Sequence, residues 1–290
     1  MSFMIHTPTN VALKRQGIYV RADASDWQTS WPVHTHEGVE LYYFQKGKAN
    51  FCIGEEVYDM SPGTMLLFRG GVMHRINPSK EVVYIRSYVN FTEEFLREGV
   101  PVDMIDKLTA LFDVQGGLIL RWDPDERDSI ENEFRTLQNE AEKESFGHEL
   151  FMRATLTRLL LKVYRKSKHL PTAGMEQTPS QSQSNVKRIL QFINQNYTGE
   201  VSLDDISKAL HLNKYYLCHI FKEITGHTIN NYLVRRRLEE AKKLLLSTDE
   251  PIGVIAEKLG FTTPIHFSRS FKQFSGVSPQ AFRKIALQTN

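Results

Sequence analysis

ISKALHLNKYYLCHIFKEITGHTINNY, residues 206–232, and IAEKLGFTTPIHFSRSFKQFSGVSPQAF, residues 255–282, are two versions of one plan. Ile206, Leu210 and Leu212 recur at an offset of 49 residues as Ile255, Leu259 and Phe261. After one inserted residue, Phe221, Lys222, Gly226 and Tyr232 recur at an offset of 50 as Phe271, Lys272, Gly276 and Phe282. Each copy predicts a short amphipathic helix, a tight turn at His211 or Gly260, and a capping residue, Asn213 in the first copy and Thr262 or Thr263 in the second. A second helix then runs to Thr225 or Ser275 and stops at a glycine. Helix, short turn, capped helix is the helix-turn-helix plan, whose second helix can enter a DNA major groove. An ordinary helical bundle would need neither the duplication nor the polar and aromatic start of the second helix.

The segment between the copies supports the same reading. Thr228 is placed to cap INNYLVRRRLEEAKKLLLS, a predicted helix of about 19 residues and about 28 Å, close to the ~34 Å of one DNA turn. A rod of that length sets two reading helices on one face of a duplex. Arg235, Arg236 and Arg237 on the rod are candidates for either phosphate contacts or ion pairs. Charge agrees: residues 186–290 hold 15 Lys/Arg against 9 Asp/Glu, whereas residues 1–185 hold 21 against 25, so a net charge of +2 conceals a basic C-terminal part suited to phosphate.

Residues 186–286 resemble the AraC/XylS class of bacterial transcription regulators, on the strength of ISKALHLNKYYLCHIFKEITGHTINNYL, RRRLEEAKKLLLSTDEPIGVIAEKLGF and HFSRSFKQFSGVSPQAFRK. The resemblance implies base-facing residues at Tyr215, Cys218 and His219 in the first copy and at Thr263, Pro264, Ile265, Ser268 and Arg269 in the second. Lys214, Lys222 and Lys272 complete the DNA-binding set. The last two end the Phe-Lys pair of each helix and are the phosphate candidates. Where this family often has Arg, the chain has His219, and a neutral imidazole does not reproduce the two-pronged pairing of Arg with guanine. The resemblance further implies promoter DNA, RNA polymerase and a second copy of the chain as partners, and transcriptional activation answering a small molecule, most commonly a carbohydrate.

Outward from this region, Pro171–Asn185 (PTAGMEQTPSQSQSN) is almost free of apolar residues and reads as a linker. The expected organisation is an effector-binding and dimerisation domain over 1–170, a linker over 171–185 and a DNA-binding domain over 186–290. In the first domain VELYYFQKG, NFCIGEEVYDM, GTMLLFRGG and VVYIRSYVN are short strands separated by turn residues. They point to an antiparallel barrel or sandwich. From about Thr92 to Lys168 the pattern turns helical: Ile130, Phe134, Leu137 and Ala141, then Leu150, Met152, Leu156, Leu159, Leu160 and Val163, recur at helical spacing. These helices are expected to pack on the barrel or on a second subunit. The fold class is therefore α+β: an antiparallel β-barrel with following helices, then an all-α double helix-turn-helix domain.

His34, His36 and Glu40 form H-x-H-x-x-x-E, with Gly47 seven residues on and His74 further downstream. Two histidines separated by one residue share a strand face, and Glu40 and His74 can join them from neighbouring strands. The pattern resembles the two-part cupin motif, with Arg69 in place of the usual proline of its second half. Three readings fit His34, His36, Glu40 and His74: ligands for a divalent transition metal, direct contacts to an effector without metal, or buried core histidines. No cofactor is otherwise indicated. Trp27, Trp31, Tyr42 and Phe44 are either walls of an apolar pocket or plain core. A metal-dependent isomerase or dioxygenase with a DNA-binding tail is the enzymatic rival, but no second constellation supplies an acid or base, and the chain reads as no enzyme. A ligand-independent regulator whose barrel only dimerises is a third possibility. Two distant cysteines, no secretion signal and no apolar run of membrane-spanning length predict a cytoplasmic, non-membrane protein.

Overall fold

Val39–Lys46 (β2) is buried along nearly its whole length, because it lies in the middle of a sheet with both faces covered. Its alternate residues serve different cores. Val39, Leu41 and Tyr43 face a cluster shared with helices, while Tyr42 and Phe44 face a cluster between two sheets. A computed structural model of the chain describes residues 8–25, 32–169 and 179–287. The chain divides into two units, the first Thr9–Pro179 and the second beginning at Ser180.

The first unit opens with α1 (Pro8–Gln16) and β1 (Ile18–Ala24). After β2 come β3 (Ala49–Ile53), β4 (Glu56–Met60), β5 (Thr64–Arg69), β6 (His74–Pro78) and β7 (Ile85–Phe91), then α2 (Glu93–Arg97), α3 (Val102–Thr109), β8 (Leu118–Arg121), α4 (Pro124–Lys143) and α5 (His148–Lys168). All strand pairs are antiparallel. A five-stranded sheet has the order β1-β7-β2-β5-β8, and a three-stranded sheet the order β4-β3-β6. Phe134 and Leu137 of α4 and Leu156, Leu159, Leu160 and Val163 of α5 join Tyr43 and Val89 in one apolar cluster. The helices thus cover the outer face of the large sheet. Glu133, buried between the two helices, accepts from Arg158 and Lys162. Tyr42 and Phe44 are core residues between the sheets; Trp27 and Trp31 lie outside the described residues.

The second unit is helical: α6 (Gln181–Asn196), α7 (Leu203–Leu210), α8 (Lys214–Thr225), α9 (Ile229–Ser247), α10 (Ile252–Lys258), α11 (Pro264–Ser275) and α12 (Pro279–Leu287). The expected linker is shorter than 171–185, since its last five residues begin α6. The Ser180 hydroxyl accepts from the Gln183 amide, and the Gln183 side chain accepts from the Ser180 amide. This reciprocal cap starts a helix within a polar stretch, and Asn185 is buried. Most of the remaining stretch, 170–178, lies outside the described residues. No helix of the described residues is long and apolar enough to cross a membrane.

The duplication extends to backbone detail. The turn after α7 uses His211 at φ 55°, and the turn after α10 uses Gly260 at φ 73°. Thr263, not Thr262, caps α11, accepting from the His266 amide at 3.1 Å, as Asn213 caps α8 at 2.8 Å. A buried hydroxyl closes each second helix. Thr225 donates to the Phe221 carbonyl and accepts from the His227 amide, and Ser275 does the same with Phe271 and Val277. Between the copies, α9 belongs to both cores. Its Tyr232 packs edge-on against Phe221, while Leu238, Ala241 and Leu245 pack with Phe267, Phe271 and Phe282.

The arginines of α9 are all engaged within the second unit. The buried guanidinium of Arg237 donates to the carbonyls of Tyr197 (2.6 Å), Gly199 (2.7 Å) and Gly260 (2.9 Å). Burial lowers its pKa from the usual guanidinium value. Arg236 lies over the Tyr197 ring and donates to Asn194 and Glu240. Arg235 lies over Phe274 and donates to Asn231. A Cβ on Gly260 would stand 2.7 Å from the Thr198 carbonyl and 2.8 Å from the Arg237 Nη2, so glycine here serves close approach as well as positive φ.

Each carbonyl orphaned in a buried place costs about 1–3 kcal/mol, less what water recovers. Arg237→Met is therefore expected to destabilise the second unit by about 2–4 kcal/mol. Arg237→Lys should recover only part of this, because one ammonium cannot span three carbonyls. Urea unfolding of the full chain, followed by helical circular dichroism, checks both; an unchanged midpoint for Arg237→Met would contradict the bracket.

Candidate functional site

The outward faces of α8 and α11 follow from where their apolar residues go. Leu217, Ile220 and Phe221 in α8, and Phe267, Phe271 and Phe274 in α11, are buried. At a helical period this turns residues 215, 218, 219 and 222 outward in one copy and 265, 269 and 272 in the other. The structure brings the expected DNA-binding residues onto these two faces. Tyr215, Cys218, His219 and Lys222 are exposed on α8; Thr263, Pro264, Ile265, Arg269 and Lys272 are exposed at α11, and Ser268 is half-buried.

Their side chains differ in freedom. Lys214 is exposed but ion-paired with Asp204 of α7. The Thr263 hydroxyl oxygen is engaged in capping. His219 lies 3.7 Å from Glu223 and its ring is parallel to that of Tyr215. Among the described residues, Arg269, Lys222 and Lys272 have no ion-pair partner; in particular Arg269 is not paired with Glu257. Three cations on a basic unit's outward faces, uncommitted to carboxylates, are free to meet phosphate or a base edge.

The second site lies inside the first unit. His34 and His74 form an isolated antiparallel bridge, and the His36 amide donates to the Gly70 carbonyl. These bonds carry the segment before β2 across to β6. Glu40 enters from β2 on the same face as Tyr42 and Phe44, opposite Asn90 of β7. His36, Glu40 and His74, all buried, bring one ligand atom each within 4.8 Å of the others. His34 belongs beside this set rather than in it. Its ring centroid is 4.3 Å from that of His74, and its Nδ1 bonds to the Pro32 carbonyl. Two participants went unread in the sequence. Asn90 donates to Glu40 Oε2 at 3.0 Å. Gly70 is packed so closely that a Cβ would stand 2.2 Å from His36 Nδ1. Arg69, in the place of the expected proline, is tied to Glu93 and Asp113.

Protons can be assigned from the partners. A backbone carbonyl only accepts, so the Nδ1 of His36, 2.8 Å from the Glu37 carbonyl, carries hydrogen, as does the Nδ1 of His74, 2.8 Å from the Val72 carbonyl. His36 Nε2 stands 2.6 Å from Glu40 Oε2 and shares a second proton with it. Burial opposes charge on His36, but the hydrogen bond and the negative charge of Glu40 outweigh it and raise the pKa. Burial likewise opposes charge on Glu40, and the His36 hydrogen bond with the three nearby imidazoles brings its pKa down to about 2. Burial, then the neighbouring His34 and His36, hold His74 well below the usual histidine value. Neutral His74 therefore aims a lone pair on Nε2 into the site, 3.6 Å from Glu40 Oε2, with no hydrogen-bond donor among the described residues. Once the proton between His36 and Glu40 is lost, two imidazoles and a carboxylate are a ligand set of divalent transition metals.

Comparison with known proteins finds matches in both units. A family model described as a helix-turn-helix domain matches residues 206–285, and one described as an AraC-like ligand binding domain matches residues 17–100. The chain is 37% identical over 109 residues to the uncharacterized HTH-type transcriptional regulator YisR of Bacillus subtilis, the match covering 38% of either chain. It is 32% identical over 103 residues to the melibiose operon regulatory protein of Escherichia coli, covering 36% of this chain and 34% of that one. It is 31% identical over 103 residues to the multiple antibiotic resistance protein MarA of Escherichia coli, covering 36% of this chain and 81% of that protein. The matched region thus spans little more than a third of the first two relatives and most of MarA. With MarA matched over most of its length and an AraC-like ligand binding domain matched upstream, the chain belongs to the AraC family of transcription regulators.

Proposed function

We propose that the chain is a sequence-specific DNA-binding regulator of transcription, with α8 and α11 as its reading helices. The observation that carries this reading is the duplicate outward face: the second, sixth and ninth residues of each helix are exposed in both copies, and Arg269, Lys222 and Lys272 stand there uncommitted. Its family is one of regulators, not of enzymes. Arg269 reads a guanine, since its guanidinium fork fits the O6 and N7 acceptors. Arg269→Ala is expected to weaken specific binding by about 1–3 kcal/mol and to relax preference at one operator position. Lys222→Ala and Lys272→Ala should weaken binding to all sequences alike and each flatten the salt slope by about one. Titrations against single-base operator variants at two salt concentrations check this. Equal losses across the panel for Arg269→Ala would remove it from base reading.

The first unit is the sensor. A ligand acts by binding one conformation of the regulator better than another, and the named role of one relative at a melibiose operon favours a carbohydrate as effector. A homodimer accords with Phe146, Leu150 and Phe151, which are exposed together at the start of α5. Activation through RNA polymerase in the cytoplasm follows the family likeness.

His36, Glu40 and His74 would hold a divalent transition metal, replacing the proton between His36 and Glu40 and filling the approach to His74 Nε2; the metal would supply positive charge and open coordination positions to an effector's oxygens. The three convergent side chains, each within 4.8 Å of the others, support this reading. Purified full-length protein is expected to carry near-stoichiometric metal, lost in His74→Ala and released on acidification, because His36 must give up a proton to bind it. Elemental analysis with a thermal-shift screen of sugars decides. Metal-free protein whose melting temperature still rises with a sugar would leave direct effector contact as the role of the site.

A further inference from the structure

Tyr215 and Ile265 are each the second residue of their reading helix, and each is 81% exposed. A single exposed hydrophobic side chain is ordinary on a soluble protein. The same position left bare in both copies of a duplicated unit, while every other large apolar residue of the two helices except half-buried Tyr216 is buried, calls for an apolar partner outside the fold. Both side chains are also held in place. The Tyr215 ring is parallel to the His219 imidazole, within 2° and 6.2 Å between centroids, and His219 is in turn beside Glu223. Ile265 is β-branched and stiff at χ1, one helical turn before Arg269.

We propose that Tyr215 and Ile265 are specificity-determining residues, each reading the 5-methyl group of a thymine in its half of the operator. The inference rests on the DNA-binding reading above. On the floor of the major groove the base edges are nitrogens, oxygens and amino groups, and the thymine methyl is the one apolar group among them. A large apolar side chain at the groove-entering end of a helix gains by displacing water only there. Cytosine offers a hydrogen at that place, and the purine edges offer polar atoms. The charge around the two residues selects DNA over a protein partner, because Lys222, Lys272 and Arg269 share their faces. The copies then differ in what accompanies the methyl. Ile265 stands beside a guanidinium suited to guanine, whereas Tyr215 stands beside an imidazole and a carboxylate, which favour no guanine.

Uracil substitution tests this, since it removes the methyl and leaves the hydrogen-bonding edge unchanged. Binding sites would be selected from random duplexes with the full chain, and every thymine then replaced singly by uracil. At least one thymine in each half-site should weaken binding by about fourfold on replacement, the transfer free energy of one methyl group. Cytosine at that place should bind worse still, and 5-methylcytosine should recover part of the loss. Ile265→Ala should abolish the uracil effect in one half-site only, and Tyr215→Ala in the other. Both substitutions are at exposed positions, and unchanged melting temperatures would establish that the variants fold. Tight binding with a flat uracil scan overturns the proposal, as do uracil effects that persist undiminished in both variants. Failure to enrich any duplex overturns the DNA-binding reading, and this proposal with it.

Discussion

One buried guanidinium sets the geometry on which the second unit depends. Arg237 donates to the carbonyls of Tyr197 and Gly199, which follow α6, and of Gly260, in the turn between α10 and α11. Its own helix is shared by both cores. The two helix-turn-helix copies are therefore not separate modules joined by a tether, because the rod, the first copy's entry and the second copy's turn are tied at one point. Among the described residues no carboxylate joins the bracket. Three carbonyl dipoles and the face of the Phe261 ring solvate the charge, an arrangement that holds only while all three carbonyls point inward.

That bracket also marks the limit of what was legible in the sequence. The duplication, caps, turns and glycine stops could be read because each depends on a few neighbouring residues. The fate of Arg235, Arg236 and Arg237 could not be read in the same way. Three consecutive arginines look alike in sequence, and only the tertiary fold shows that one is buried against backbone and two lie over aromatic rings. The buried hydroxyls of Thr225 and Ser275 were visible as the ends of helices but not as their closing bonds. The start of α6 was misread for a related reason: Ser, Gln and Asn are loop formers by composition, yet Ser180 and Gln183 stand at the spacing of a reciprocal cap.

In the first unit the strands were legible from their aromatic and β-branched runs, and Glu40 from its place among them. A carboxylate alternating with Tyr42 and Phe44 on a buried face needs a partner, and His36 provides it. The structure brings His36 and His74 together with Glu40, and sets the His34 ring beside that of His74. Asn90 escaped notice because it lies 50 residues from Glu40 and meets it only through the β2–β7 register. Gly70 escaped notice because nothing local to it requires glycine; the close approach of His36 does.

The rod also dictates where this chain tolerates change in length. One residue added within α9 turns everything beyond it by about 100° and advances it by about 1.5 Å. Such a change would swing Leu238, Ala241 and Leu245 off the second core and carry Arg237 away from its carbonyls. Loops accept insertions because their backbone answers only to itself. A helix that belongs to two cores has no such freedom, so descent can vary the residues of the rod but not their number, and α9 keeps count for both copies.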